Sequence, residues 1–173
     1  MLNISLMNQF INFFWTIIFF AAVVVYWFSV GLSPHFYIFA AAGLIPILLP
    51  QKVLAKLQLS NSTRFYERLG VRFIRRFVQH GDIANLISRK NKPGYKVINK
   101  NGSPAAYLKT VAMYERFHLM CFLFFLFTTI AALREGRIVI ALIIMISNIL
   151  YNLYPVLLQQ YNRVRIRRLT KTI

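Results

Sequence analysis

Two apolar runs separated by four polar residues decide the fold: VAMYERFHLMCFLFFLFTTIAAL (111–133), then REGR (134–137), then IVIALIIMISNILYNLYPVLL (138–158). Each run matches the roughly 20 residues an α-helix needs to cross a bilayer. A connection this short makes them an antiparallel helical hairpin. Working outward, the N-terminal part repeats the arrangement. One apolar run covers about 10–30, and a second covers about 36–57 after the Gly31 to His35 turn, with Pro46 and Pro50 inside it. Those prolines kink or end the second run, so it is expected to be short or partly inserted. The first run reads as a span and not as a signal peptide, since no basic stretch precedes it and no small-residue cleavage site follows.

The reading is therefore an all-α integral membrane protein of one domain (1–173), with about four transmembrane helices as two hairpins. A cytoplasmic loop covers about 58–110, and a basic tail covers 159–173. Composition agrees: the chain is 58% hydrophobic and 14% charged, too apolar for a soluble domain of this size. Charge sets the orientation. Of 21 Lys and Arg, thirteen lie between Gln51 and Ala112 and five in the tail, against two in the opposite turns. By the positive-inside rule both termini and the central loop face the cytoplasm, as in a multi-pass protein of the bacterial cytoplasmic (inner) membrane. The formal charge of +17 points to anionic lipid headgroups or anionic substrates as partners. The apolar runs and the lack of any nucleic-acid motif exclude nucleic acid.

Within the loop, Phe65, Tyr66, Leu69, Phe73, Ile74, Phe77 and Val78 fall on one face of a helix predicted over 63–78. Arg64, Glu67, Arg68, Arg72, Arg75 and Arg76 fall on the other, with Ser62 or Thr63 as N-cap. This is a basic amphipathic helix of the kind that lies in the headgroup plane. Its arginines either anchor it to anionic lipid or hold an anionic substrate. Gly70 weakens it. Glu67 is a ready intrahelical partner for Arg64 or Arg68. Ser103-Pro104 reads as N-cap and first turn of a helix that begins well before the third span. Asn-Gly and Pro-Gly turn signals precede it.

The last span is unusually polar toward its end. Asn148, Asn152, Pro155 and Gln159 step by four, three and four and make one helical stripe. Polar groups at membrane depth face a partner helix or a site. Glu115 and His118, three apart where the third span enters the membrane, are the other candidates. A carboxylate beside an imidazole can orient a histidine general base. Equally, the two can be structural and link helices through Arg163 or Asn152; the residues leave both readings open. Glu-x-x-His also occurs in di-metal bundles, but these need two copies and further glutamates, and this chain has four acids in all. A single zinc on His80 and His118 stays open, with no HExxH or Cys-rich pattern behind it. No metal and no cofactor are expected. Cys121, the one cysteine, reads as a packed core residue.

Three stretches carry a resemblance. Asn152 to Arg165 (NLYPVLLQQYNRVR), Glu115-Arg-Phe-His118 at the head of an apolar helix, and Phe65 to Gly70 (FYERLG) with the later Gly81-Asp82 are similar to the bacterial glycosyl-diaponeurosporenoate acyltransferases over about 65–165. The chain departs from that pattern at Gln160, where a basic residue is expected, and at Val164, where proline is. The resemblance implies a small membrane enzyme that moves a fatty acyl group onto a sugar hydroxyl of a glycosylated carotenoid or related glycolipid. Acyl-CoA or an acyl-carrier protein would be the donor. His118 would act as base with Glu115 orienting it; Asn152, Gln159, Tyr161 and Asn162 would hold the sugar and the oxyanion; Arg163 and Arg165 would hold the donor's anionic part. Glu67, Arg68, Asp82 and Asn148 would support them. The other class of function is a non-catalytic lipid- or carotenoid-binding accessory subunit, associated with other membrane proteins.

Overall fold

The computed structural model describes residues 4–75 and 103–171. Everything regular among them is helical. Helix α1 spans Ile4–Val30 and stops at Gly31, whose φ of 79° is the left-handed conformation that ends helices cheaply only at glycine. After Ser33-Pro34 come α2 (Pro34–Gly43), α3 (Ile45–Leu48) and α4 (Gln51–Lys56). Two short helices follow, α5 (Thr63–Arg68) and α6 (Val71–Ile74). Helix α7 runs Pro104–Arg134 and α8 Ile138–Asn148; α8 continues through a π-helical turn, Ile149–Leu153, into α9, Tyr154–Lys171.

Three of these are long and apolar enough to cross a membrane: Gln9–Val30, Pro104–Arg134, and the continuous rod Ile138–Arg168. The second apolar run does not form a helix of that length, in keeping with the expectation that its prolines shorten it. Its helical part, Pro34–Leu48, rises only about 22 Å at 1.5 Å per residue, against about 30 Å of hydrocarbon. The cause is local. The chain breaks at Leu44 before Pro46, becomes extended at Leu49 (ψ 129°), and restarts after Pro50.

Packing fixes how the rods lie. Ser29 and Arg137 meet at one end (2.7 Å) and Thr16 and Tyr151 nearer the other (2.7 Å), so α1 runs antiparallel to α8. Helix α2 descends along α7, with Phe36 on Phe124 and Gly43 against Met120. The core between α1, α2, α7 and α8 is Val23, Tyr26, Trp27, Phe125, Ala132, Ala141 and Ile144. Ala132 and Ala141 allow α7 and α8 to approach closely, which drives helix association where burial from water cannot. Trp27 Nε1 donates to Thr128 Oγ1 at 3.2 Å. Outward, Phe10, Phe13, Ile17, Phe28, Val139 and Ile146 stay exposed, as a lipid-facing surface requires.

The amphipathic helix expected over 63–78 is not continuous, which corrects that expectation. Gly70 adopts φ 80° and splits it into α5 and α6. The break turns Val71, assigned by a straight helix to the basic face, into a second core with Tyr66, Leu157, Leu158, Tyr161 and Val164. Phe65, Leu69 and Phe73 remain exposed. Phe77 and Val78 lie outside the described residues. Ser103 and Pro104 occupy the expected cap and first-turn positions of α7, although Ser103 makes no side-chain cap bond.

A Cβ on Gly43 would lie 3.3 Å from the Met120 carbonyl oxygen, a backbone atom that cannot swing aside. Gly43→Leu is therefore expected to force α2 off α7 and cost about 1–3 kcal/mol. The midpoint of thermal unfolding in detergent measures it, and an unchanged midpoint would show that the two helices do not need this contact.

Candidate functional site

Glu115 is fully buried, as is Arg163 at 2% exposure, and the two form an ion pair between Oε2 and Nη2. Glu115 Oε1 accepts from Gln160 Nε2 at 3.2 Å. Arg163 Nη1 donates to Gln58 Oε1 (3.0 Å) and to the Leu54 carbonyl (3.4 Å). Gln160 Nε2 also reaches the Leu57 carbonyl (3.0 Å), while its Oε1 accepts from Leu59 N and from Tyr66 Oη, both at 3.1 Å. Gln58 Nε2 closes the ring onto Tyr66 Oη (3.2 Å) and Ser60 O (3.0 Å). One carboxylate, one guanidinium and two amides thus clasp α7, α9, the end of α4 and the loop before α5. Pairing and hydrogen bonding on every side is what lets such charges stay buried. Glu115 stands about 30 Å along α7 from Glu135 at the other end of the helix, by rise per residue, one hydrocarbon thickness.

Both oxygens of Glu115 are engaged in this clasp, so it does not orient His118. His118 lies instead beside the Asn152 side chain and the Tyr151 backbone. The imidazole packs edge-on to the Tyr151 ring at 5.7 Å. Asn152, fully buried, donates to Asn148 Oδ1 at 2.9 Å, and Asn148 donates to the Phe122 carbonyl at 3.1 Å. Tyr151 Oη shares a 2.7 Å hydrogen bond with Thr16 Oγ1 of α1. Two buried atoms here have no hydrogen-bond partner: His118 Nδ1 and Asn152 Oδ1. Buried polar atoms without a partner are costly and call for an explanation such as a functional role.

The π turn creates this arrangement. Pro155 has no N–H to give the carbonyl four residues earlier, and that carbonyl belongs to Tyr151. The helix accommodates by widening to i→i+5 bonds over Ile149–Leu153, which leaves the Tyr151 carbonyl facing His118. Single π turns of this kind occur frequently at functional sites. The extra residue also rotates everything after it. The stripe expected to continue from Asn152 to Gln159 instead brings Gln160 inward, at 2% exposure, and leaves Gln159 half-buried.

A third group lies where α5, α6 and α9 meet. Thr63, Glu67, Arg72, Arg75, Tyr161, Arg165 and Arg168 line a cleft of about 550 Å³. Arg72 pairs with Glu67 at 2.9 Å, Tyr161 Oη donates to Glu67 at 3.3 Å, and the Arg165 guanidinium lies 5.6 Å from the Tyr161 ring centroid. The Tyr161 hydroxyl first, and then the Glu67 carboxylate, hold Arg72 above its ordinary pKa.

The candidates from sequence therefore separate into three places. Glu115 and Arg163 belong to the clasp; His118, Asn152 and Asn148 form the membrane-depth cluster; Glu67, Tyr161 and Arg165 line the cleft. Asn162 is half-buried on α9. Glu67 pairs with Arg72 across the Gly70 break and not with Arg64 or Arg68. Arg68 ends α5 outside the lining of the cleft. Asp82 and His80 lie outside the described residues. Among the described residues no group of three or more metal-ligating side chains occurs. Sequence reasoning missed Gln160, Gln58, Tyr66, Thr16 and the Tyr151 carbonyl. For Gln160 the one available signal was Pro155, whose missing donor disturbs the helical period used to choose between the adjacent glutamines.

Arg163→Met should cost about 3–5 kcal/mol, because it strands the Glu115 carboxylate without a counter-charge. Replacing both members, as Glu115→Leu with Arg163→Leu, should recover most of that stability. Unfolding midpoints of the two variants in detergent test this, and equal losses in both would show that the ion pair is not what the clasp depends on.

Comparison with known proteins bears on the same elements. A family model described as glycosyl-4,4'-diaponeurosporenoate acyltransferase matches residues 50–172, a stretch that holds the clasp, the His118 cluster and the cleft, apart from Thr16. No curated relative and no solved structure matches the chain. The chain belongs to the glycosyl-4,4'-diaponeurosporenoate acyltransferase family.

Proposed function

We propose that the protein is a membrane-embedded acyltransferase that transfers a fatty acyl group to a hydroxyl of a glycosylated carotenoid or a related glycolipid. It would work in a bacterial cytoplasmic membrane, with two hairpins and with both termini and the central loop on the cytoplasmic side. The charge distribution supports that orientation. So does the path of the second apolar run, which descends beside α7 until Leu49 accepts a hydrogen bond from Arg116 at 3.0 Å, one residue from Glu115.

The observation that carries the reading is the pair of unpartnered buried atoms, His118 Nδ1 and Asn152 Oδ1, at the π turn. A neutral imidazole that keeps its proton on Nδ1 can give it to Asn152 or to the Tyr151 carbonyl, and this leaves Nε2 free to act as base. Asn152 then does the orienting that a carboxylate does in other histidine bases. His118 Nε2 takes the proton of the acceptor hydroxyl as its oxygen attacks the thioester carbonyl of the donor. The tetrahedral oxyanion collapses, the C–S bond breaks, and the leaving thiolate takes the proton from the imidazolium, which gives an ester and a free thiol. Gln159 and Asn162, farther along α9, serve the outer part of the sugar.

His118→Ala should lower acyl transfer by a factor on the order of 100 or more, as loss of a general base does, while membrane insertion stays intact. Mass spectrometry of lipids from cells with the parent protein, with His118→Ala, and without either measures it. The parent should add the mass of one acyl chain to a glycolipid. Full activity in His118→Ala would remove this mechanism, and no mass difference at all would favour a non-catalytic lipid-binding subunit.

A further inference from the structure

We infer that the cleft between α5, α6 and α9 is the binding site for the phosphate of the acyl donor, a phosphopantetheine thioester; the inference rests on the acyl-transfer reading above. Among the described residues, four arginines and one carboxylate line this cleft. Glu67 pairs with Arg72, and Arg165 reaches the same concavity from α9 with its guanidinium over the Tyr161 ring. Thr63 adds a hydroxyl that accepts from Arg168 at 3.3 Å and keeps its own proton to donate. Guanidinium clusters with hydroxyl donors are suited to phosphate oxygens, through charge-assisted and bidentate hydrogen bonds.

Shape distinguishes this from anchoring. A helix that only rests on anionic lipid spreads its cations along one outward face. Here the left-handed Gly70 breaks that line. Arg72 and Arg75 come round to share a concavity with Arg165 and Arg168 of α9. The volume, about 550 Å³, lies within the range of small-molecule sites and exceeds what one inorganic phosphate fills. Arg163, which sequence placed with the donor, is unavailable, since Glu115 holds it; Arg165, two residues on, lines the cleft instead.

Position agrees with the chemistry. From Asn152 to Arg165 the helix rises roughly 20 Å at 1.5 Å per residue, a distance an extended phosphopantetheine arm can span. A phosphate held at the cleft would let the thioester carbonyl reach His118. Both soluble donors, acyl-CoA and acyl-carrier protein, share this phosphate and arm. The orientation proposed above puts the cleft on the side where they occur.

Binding to the full-length protein in phosphatidylcholine nanodiscs, with no acceptor present, tests the site independently of turnover. The probes are coenzyme A, 4′-phosphopantetheine and phosphate-free pantetheine. Coenzyme A and 4′-phosphopantetheine should bind, and pantetheine at least roughly tenfold more weakly, the loss expected for hydrogen bonds to a charged group. Arg72→Gln with Arg165→Gln should weaken the first two by a similar factor and leave pantetheine unchanged. Equal binding of all three probes, or unaltered binding in the double variant, would overturn the proposal. So would a double variant whose only defect is lost enrichment of phosphatidylglycerol from mixed bilayers, which would make the ligand a lipid headgroup. Phosphate-dependent binding in a protein without transferase activity would uphold the site and count against the acyl-transfer reading alone.

Discussion

The buried ion pair of Glu115 and Arg163 is the constraint on which the half of the described structure built from α4, α5, α6 and α9 depends. A carboxylate at this depth is far more costly than one in water unless its charge is matched and its lone pairs are used. Arg163 matches the charge and Gln160 uses the remaining oxygen. These two residues in turn recruit Gln58, Leu54 O, Leu57 O and Leu59 N, so satisfying one carboxylate pins the segment between α4 and α5. Tyr66 joins through the same amide and brings α5 down onto α9. The basic cleft exists because α5 and α6 are held there. In a chain with four acids, placing one of them inside the fold gives a specific address to polar groups that would otherwise have many partners in water.

The second organising element is a missing hydrogen-bond donor. Pro155 cannot supply the Tyr151 carbonyl, and the helix widens into a π turn around it. That single accommodation places the Tyr151 backbone and the Asn152 side chain beside His118 and rotates the following helix so that Gln160 meets Glu115. The two polar centres on α7 are therefore set by two regions of one rod. At the π turn it serves His118; after it, the clasp. Family membership over 50–172 covers both regions, which connects the acyl-transfer reading to the part of the fold where these constraints act.

Much of the fold was legible in particular residues. The apolar runs at 111–133 and 138–158 and the Arg134–Arg137 turn define a hairpin because a bilayer accepts only helices of that length with satisfied backbones. Ser103-Pro104 marked the start of α7 because proline tolerates the first turn of a helix. The second apolar run was less readable. Hydropathy continues through Pro46 and Pro50; the prolines announced a short run, and geometry adds that its helix ends at Leu48. Gly70 was recognised as a weak point; that it would reverse Val71 from the basic face into the core required its φ.

The sequence by itself determined which residues had to be reckoned with. Glu115, His118, Asn148, Asn152 and Arg163 are polar in segments whose length and hydropathy suit a membrane, and such groups face a partner or a site. Which partner each one takes was decided only by tertiary structure. Glu115 and His118 sit three apart on one helix face, a spacing that suggests a mutual bond. Yet an arginine arriving from α9 gives a carboxylate a full counter-charge, which a neutral imidazole cannot. His118 is thereby left to the groups freed at the π turn. Periodicity assumes a constant 3.6 residues per turn. The tertiary fold alone reveals where one residue is added, and with it which glutamine, which arginine and which carbonyl face inward.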